Sequence, residues 1–578
     1  MKHVARNFLG CLDREQDQFE QKLAQDTTGI TLIAAVREFD FYYYNYVRRE
    51  QSDDADFQFY ILRLGLPRLV AGALGRTKRF DFPVVLFRTA PRLVIATLEL
   101  VSAFGFVEHG RRMALAAMAG ECNLYQQSDD QFEFVLADDM LNMEHHESSV
   151  AGHYTLQHRA RVDSGIKESF ERKGTFEHIQ NLLDENVYVF RDHFIGYNAH
   201  PDLDDYFFGL AYLRAQSLDG FDAFHWSAEF GGVTFQKYVL ASIYFLSLAM
   251  KHERFCEALL AANSDHQLRD VLTITAEKSE FLASTIEAVN LYGTDIEGFQ
   301  PLTSEEAAIV IDALSVRRDN LQVIAPTMSP LPYLIEYSDS AWIKSIAGAH
   351  LDPFNFMLTS LKQSYPKDYD RNQQHREGSM QKALRRLIKA AIPNASFLDN
   401  ITLRNCGKTV TDIDFVAIDE ETGFTMLFQL KHQDHYGGDF RKRSSQAKRL
   451  QEQSSSWLEK VRSWIRSSSH EEICSTLRRK SNSASLDFRL IIVTKNFAHF
   501  LATVDLNEDA AYATWVQFYD SLVRVENAPE KVGSLRYLFD ELSAHMTHKI
   551  ASKVWLETVD NFHLDTLSFR IRQERQEI

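Results

Sequence analysis

The sequence predicts a multidomain chain, with a mainly α-helical N-terminal region over residues 1–365 and an α/β C-terminal domain over residues 371–578 built on a central mixed β-sheet. Three observations lead there. Apolar side chains recur at three- and four-residue spacing from about residue 13 to residue 363, with little strand-like alternation. The chain then turns polar and aperiodic through Ser364-Tyr365-Pro366-Lys367-Asp368-Tyr369-Asp370, as a domain boundary does. Beyond that point, strand-like runs at 411–418 and 424–431 lie between helical stretches. The length of 578 residues agrees, because it exceeds what one hydrophobic core serves.

Within the helical region, which has room for two subdomains, Leu240, Ile243, Tyr244, Leu246 and Leu248 mark one helix and Ala307, Val310, Ile311 and Leu314 another. The second is started by Thr303-Ser304-Glu305-Glu306, a favourable N-cap stretch. Strand content is expected near residues 131–137. No repeat of fixed period is present, so a solenoid is not expected. The apolar stretches 93–107 and 238–250 are interrupted by polar residues and fall short of the roughly 18 apolar residues of a membrane span. Both read as buried helices. The five cysteines form no CxxC pair, and the N-terminus lacks the apolar core of a signal peptide. A cytoplasmic protein without a membrane partner is expected, with the helical region regulating or assembling it through a homo-oligomer or a partner subunit.

The C-terminal domain opens with a helix over 376–391, in which Glu377, Met380, Leu384, Leu387, Ile388 and Ala391 share one face at helical spacing, putting Glu377 on the buried stripe. Strands follow at 400–404, 411–418 and 424–431, the last two joined by the turn Glu420-Glu421-Thr422-Gly423. A long basic helix is expected over 444–467. The β-branched run at 488–494 then reads as a central strand, a further strand is expected near 515–519, and a helix over 535–545.

Period-two alternation puts Thr425, Leu427, Gln429 and Lys431 on one face of their strand and Phe424, Met426, Phe428 and Leu430 on the other. Polar groups ending an apolar strand are costly unless something engages them, and a metal-bound phosphate is a suitable partner for the lysine. Charge is distributed accordingly. The whole chain carries a net −17, but residues 371–480 hold 20 basic and 13 acidic residues. One basic region in an acidic protein is the electrostatic footprint of a nucleic-acid-binding domain.

The order of helix, carboxylate strand, polar-x-lysine strand and basic helix resembles the PD-(D/E)XK nuclease superfamily, the restriction-endonuclease-like fold, from residue 376 to about residue 500. The matching positions are Glu377 on the first core helix, Asp414 on the second strand and Gln429-Leu430-Lys431 on the third. Gln429 departs from the usual acid and matches the Gln-x-Lys subset, which includes restriction enzymes acting on modified DNA. The resemblance implies a Mg²⁺-dependent endonuclease, with Mn²⁺ as the alternative ion, and a role in microbial defence against foreign DNA. Asp414, Glu377 and Gln429 would then be metal ligands, with Asp412 as a supporting carboxylate. Lys431 would orient the attacking water and offset charge in the transition state.

Arg441, Lys442, Arg443, Lys448 and Arg449 are the expected phosphate contacts, joined by Lys460, Arg462 and Arg466 and by Arg385, Arg386 and Lys389 on the first core helix. Gln446 would position backbone, as a glutamine of this helix does in some relatives. DNA is expected ahead of RNA, and no base-reading code is visible.

Competing accounts are plainer. Asp414 and Lys431 could form a cross-strand ion pair, Asp412 a strand-edge residue, Gln429 a hydrogen bond inside the sheet and the basic helix a solvated face. The whole domain could be a catalytically silent binding module. Glu144, His145, His146, Glu147, His153 and His158 have metal-ligating side chains without metal-site spacing, and His193, His200, Asp202 and Asp204 read as an exposed loop. Gly72 and Gly75 lack the following Gly-Lys-Ser/Thr, so no P-loop is present.

Overall fold

The computed structural model describes residues 2–48, 52–77, 80, 87–120, 122–136, 175–218, 223–351, 353–373, 376–434, 440–479, 486–496, 498, 501, 504, 506–528, 534–547 and 559–573. Helices Lys2–Ala24, Ile30–Tyr46, Asp53–Arg76 and Pro91–Ala119 come first. They bury Phe8, Leu12, Val36, Phe39, Leu66 and Phe104 in one core. Asp53–Arg76 and Pro91–Ala119 touch backbone to backbone. A Cβ on Gly65 would strike the Val101 carbonyl, and one on Gly105 the Ile61 carbonyl, so only glycine permits this approach. Of the described helices, Pro91–Ala119 is long and apolar enough to cross a membrane. Its Val101, Phe104 and Val107 are core residues, while Ile95 near its start is 59% exposed.

A second core is organised around Phe235–Ala262, a helix buried on nearly every side and packed by Pro201–Leu218, Lys278–Gly293, Ser304–Ala313 and Pro353–Ser364. As expected, residues 93–107 and 238–250 fall in helices, Gln131–Leu136 is a strand and Thr303 caps its helix in a reciprocal box with Glu306. The helical region nevertheless contains more sheet than its periodicity suggests. A mixed four-stranded sheet joins Ile274–Glu277, Ala341–Lys344, Leu334–Glu336 and Ser315–Val316. These strands are too short to display alternation. Asp40 ties the helix Ile30–Tyr46 to residues 273 and 345–347, accepting from Thr273 Oγ1 at 2.7 Å, Ser345 Oγ at 2.8 Å and the Ala347 amide at 2.9 Å.

The C-terminal α/β domain holds a five-stranded sheet in the order Ser396–Asn405, Lys408–Ile418, Phe424–Lys431, Asp487–Thr494, Ala510–Thr514. The first three strands run antiparallel and the last three parallel. One face packs on Arg376–Ala391, Trp515–Glu526 and Leu535–Thr547, through Leu384, Phe428, Phe518 and Leu538. The other packs on Phe440–Ser467 and His470–Thr476, through Leu427, Trp457, Trp464 and Ile492.

Two expectations need correcting. Residues 515–519 belong to a helix, and the strand precedes them at Ala510–Thr514. Thr514 caps this helix in a box with Gln517, and Trp515, Phe518, Leu522 and Val525 then recur at helical spacing. The domain boundary also shifts. Val559–His563 and Ser568–Gln573 form a hairpin that joins Cys122–Ser128 and Gln131–Leu136 in a sheet of the first core, Ser568–Gln573 lying parallel to Gln131–Leu136. Phe569 meets Phe8 edge to face there, and buried Glu15 accepts the Thr566 amide at 2.7 Å. The unit expected over 371–578 therefore ends at or before residue 558, and residues 559–573 return to the N-terminal body.

Candidate functional site

Phe428 and Leu430 face the core beneath the first core helix and Leu427 faces the opposite core, so alternation directs Gln429 and Lys431 to the side of the basic helix. The ladder between Lys408–Ile418 and Phe424–Lys431 ends at the Phe415–Phe428 pair. One step further on, the Asp414 carboxylate takes over the role of a backbone acceptor. Its Oδ2 receives the Leu430 amide at 2.6 Å and Gln429 Nε2 at 2.5 Å. On the far side, Lys431 stands in parallel register with Thr494, and its carbonyl accepts the Lys495 amide at 2.9 Å. Two strands that part at one end thus present a carboxylate, an amide and an ammonium together.

The first core helix supplies the fourth group. Glu377 lies in its first turn, with Oε1 4.0 Å from Lys431 Nζ. Its side chain is 52% exposed, which corrects the expectation that it lies on the buried stripe. Met380, Leu384 and Ile388 carry the packing, and the stripe runs off the end of the sheet before it reaches Glu377. Gln381, one turn on, donates Nε2 to the Asp414 carbonyl and ties helix to strand. Asp412 is exposed, and its carbonyl accepts Trp457 Nε1 at 3.0 Å.

Burial pushes the Asp414 carboxyl above its ordinary range and Glu377 adds to that, against the Leu430 amide, the Lys431 ammonium and the Gln429 amide. The carboxylates that could hold a hard divalent cation here are Asp414 and Glu377, while Gln429 Nε2 is turned to Asp414. No group of three or more His, Cys, Asp and Glu side chains suited to a metal occurs among the described residues. Two carboxylates fit Mg²⁺, which keeps several waters and uses substrate oxygens, better than an ion requiring a full protein cage.

The basic helix, Phe440–Ser467, packs on the sheet and on Pro91–Ala119 of the helical body. Lys442, Lys448, Arg449, Lys460 and Arg466 are exposed, with Lys448 Nζ 3.9 Å from Glu452 Oε1 on the same helix. Arg443 is buried, which corrects its assignment as a phosphate contact, because it falls on the same helical face as Leu450 and Trp457. Arg462 is committed to Asp509 and Arg385 to Asp399. The Gln446 Oε1 is buried without a hydrogen-bond partner. Side-chain placement of Arg441 lies outside the described residues, as do Glu144, His145, His146, Glu147, His153 and His158. Asp202 and Asp204 are in the first turn of Pro201–Leu218, paired with His178 and Lys251, rather than in a loop.

Sequence reasoning missed Gln381, Arg376 and Asp434. Gln381 was legible as the residue one helical turn after Glu377. Arg376 and Asp434 answer to contacts with the helical body, which no local pattern reports. No protein family, curated protein or solved structure matches this chain.

Proposed function

We propose that the C-terminal α/β domain is a restriction-endonuclease-like, Mg²⁺-dependent nuclease acting on DNA in preference to RNA. The observation that carries this reading is the convergence of Glu377, Asp414, Gln429 and Lys431 where two strands part, beside a helix with exposed cations. Asp414 and Glu377 would hold the ion, which supplies charge neutralisation at the phosphoryl oxygens and a more acidic bound water. Lys431, beside both carboxylates, would orient the attacking water and meet negative charge as it develops. Lys442, Lys448 and Arg449 would hold the phosphate backbone.

A second reading has its own observation. Gln429 donates to Asp414, which satisfies that carboxylate inside the protein and suits a catalytically silent nucleic-acid-binding module. Incubating the full chain and Asp414→Ala with supercoiled plasmid, linear duplex, single strands and RNA, in Mg²⁺, Mn²⁺ or chelator, separates the two. Metal-dependent cleavage lost in the variant supports the nuclease; salt-dependent binding without cleavage supports the silent module. A cytoplasmic defence role, restrained or assembled by the helical body, follows from the nuclease reading, since an unrestrained nuclease endangers its host.

A further inference from the structure

Asp434 lies three residues beyond Lys431, and Arg376 immediately precedes Glu377. The two form an ion pair, so a single contact joins the chain segment bearing the ammonium to the segment bearing the acid. The helical body completes this pair. Tyr369 Oη donates to Asp434 Oδ1 at 3.0 Å and Lys362 Nζ to Oδ2 at 2.7 Å. Arg376 is buried, its guanidinium over the rings of Phe224 at 4.9 Å and Tyr369 at 5.5 Å, with Nε donating to the Ala223 carbonyl at 3.2 Å. Phe224 and Tyr369 are core residues of the helical body. A guanidinium buried this deeply requires its carboxylate, so Arg376 and Asp434 keep their mutual position only while body and α/β domain stay docked.

We propose that Arg376 and Asp434 are positioning residues that register Glu377 against Asp414 and Lys431, and that the helical body supplies Lys362, Tyr369 and Phe224 to hold the pair. This rests on the reading of the site as a metal-dependent nuclease. The Glu377 side chain is about half exposed and its described ion pair, to Lys431, is a long one, so the turn that carries it takes its place from Arg376. Displacing the helices that carry Lys362 and Tyr369 then shifts Glu377 and weakens the ion's site without touching Asp414.

The test uses the full chain, Mn²⁺ alone as the binding probe, and plasmid cleavage in Mg²⁺ titrations. Asp434→Asn is expected to weaken Mn²⁺ binding by about 10-fold or more, the range for residues that orient a metal ligand. It should raise the Mg²⁺ concentration for half-maximal cleavage by a similar factor. Tyr369→Phe, which removes one hydrogen bond and leaves the ion pair, should do the same to a smaller degree and guards against a folding defect in the first variant. In a Glu377→Gln background, Asp434→Asn should add nothing, because both changes act through one carboxylate. Unchanged Mn²⁺ affinity in both variants, or a loss that adds in full to that of Glu377→Gln, overturns the inference. Wild type that binds Mn²⁺ but cleaves no nucleic acid overturns the nuclease reading and leaves the inference to the binding cycle. Wild type that binds no Mn²⁺ overturns both.

Discussion

Gln429 donates Nε2 to Asp414 Oδ2 at 2.5 Å, so the side chain beside the site's half-buried carboxylate satisfies that charge rather than adding a second one. Gln429→Glu replaces a donor with a like charge. Without divalent ions the variant should lose about 1–3 kcal/mol of stability, the cost of stripping a partner from a buried polar group. Mg²⁺ should restore that loss, because a third carboxylate beside Asp414 and Glu377 binds the ion more tightly than two. Thermal unfolding with Mg²⁺ and with chelator checks this. Equal melting shifts on Mg²⁺ addition in wild type and variant would show that residue 429 does not face the ion, and no shift in either would show that no ion binds beside Asp414.

Lys431→Ala should leave the fold intact, because Lys431 is partly exposed and its only described ion pair is a long one to an exposed carboxylate. Cleavage should fall by about 100-fold or more, the usual effect of removing a positioned electrostatic or proton-handling group. Nucleic-acid affinity should change little. Rates of plasmid cleavage, read beside a melting curve and a binding isotherm, separate catalysis from folding and docking.

The placing of Gln429 and Lys431 on one face was legible because strand alternation has a period of two, and a period needs only local residues; Asp414 was joined to them by the order of elements that the nuclease resemblance supplied. Glu377 was assigned the right element but the wrong exposure, since a helical stripe does not say where the sheet beneath it stops. Arg443 was misplaced for a related reason. A basic residue on the apolar face of Phe440–Ser467 is buried by the elements that face it, and the sequence of one helix does not name those elements. The return of Ser568–Gln573 to Gln131–Leu136 was illegible because it pairs strands separated by most of the chain. Arg376 and Asp434 belong to the same class, since their partners Phe224 and Lys362 lie in the helical body.

Lys448 and Arg449 project from the basic helix into solvent, Lys448 with a side chain 78% exposed. If they contact phosphates, their joint replacement by alanine should weaken binding to all duplexes alike. The slope of log affinity against log salt should become shallower by about 2, roughly 0.9 for each lost duplex phosphate contact. Replacing Arg462 and Asp509 together should leave that slope unchanged, because Arg462 is already spent on the Asp509 carboxylate. Binding isotherms over a salt series check both. A slope that stays at its wild-type value in Lys448→Ala/Arg449→Ala would move the nucleic-acid interface elsewhere.

Asp40 gives the helical body a pH response of its own. Burial pushes its carboxyl up to about 7 from the ordinary 3.8, although Ala347, Thr273 and Ser345 all donate to it. A carboxyl that holds its proton more tightly when folded stabilises the native state at low pH. That contribution is lost as pH rises from about 4 to about 7, by on the order of 4 kcal/mol at most. Half-buried His109 and buried His252 act in the opposite sense. Burial lowers them to about 3 and about 4, so their stabilisation is present above 6.5 and is lost as pH falls. The Asp40 effect is therefore isolated by comparing wild type with Asp40→Asn, in which both histidines remain. The amide keeps the shape and one acceptor but cannot ionise, and it turns an N–H toward a donor, a fixed cost of about 1–3 kcal/mol. Denaturant unfolding from pH 4.5 to pH 7.5 should show the variant less stable at the acid end, with the gap closing as pH rises. Parallel curves would mean that Asp40 is ionised throughout and that its three donors outweigh its burial.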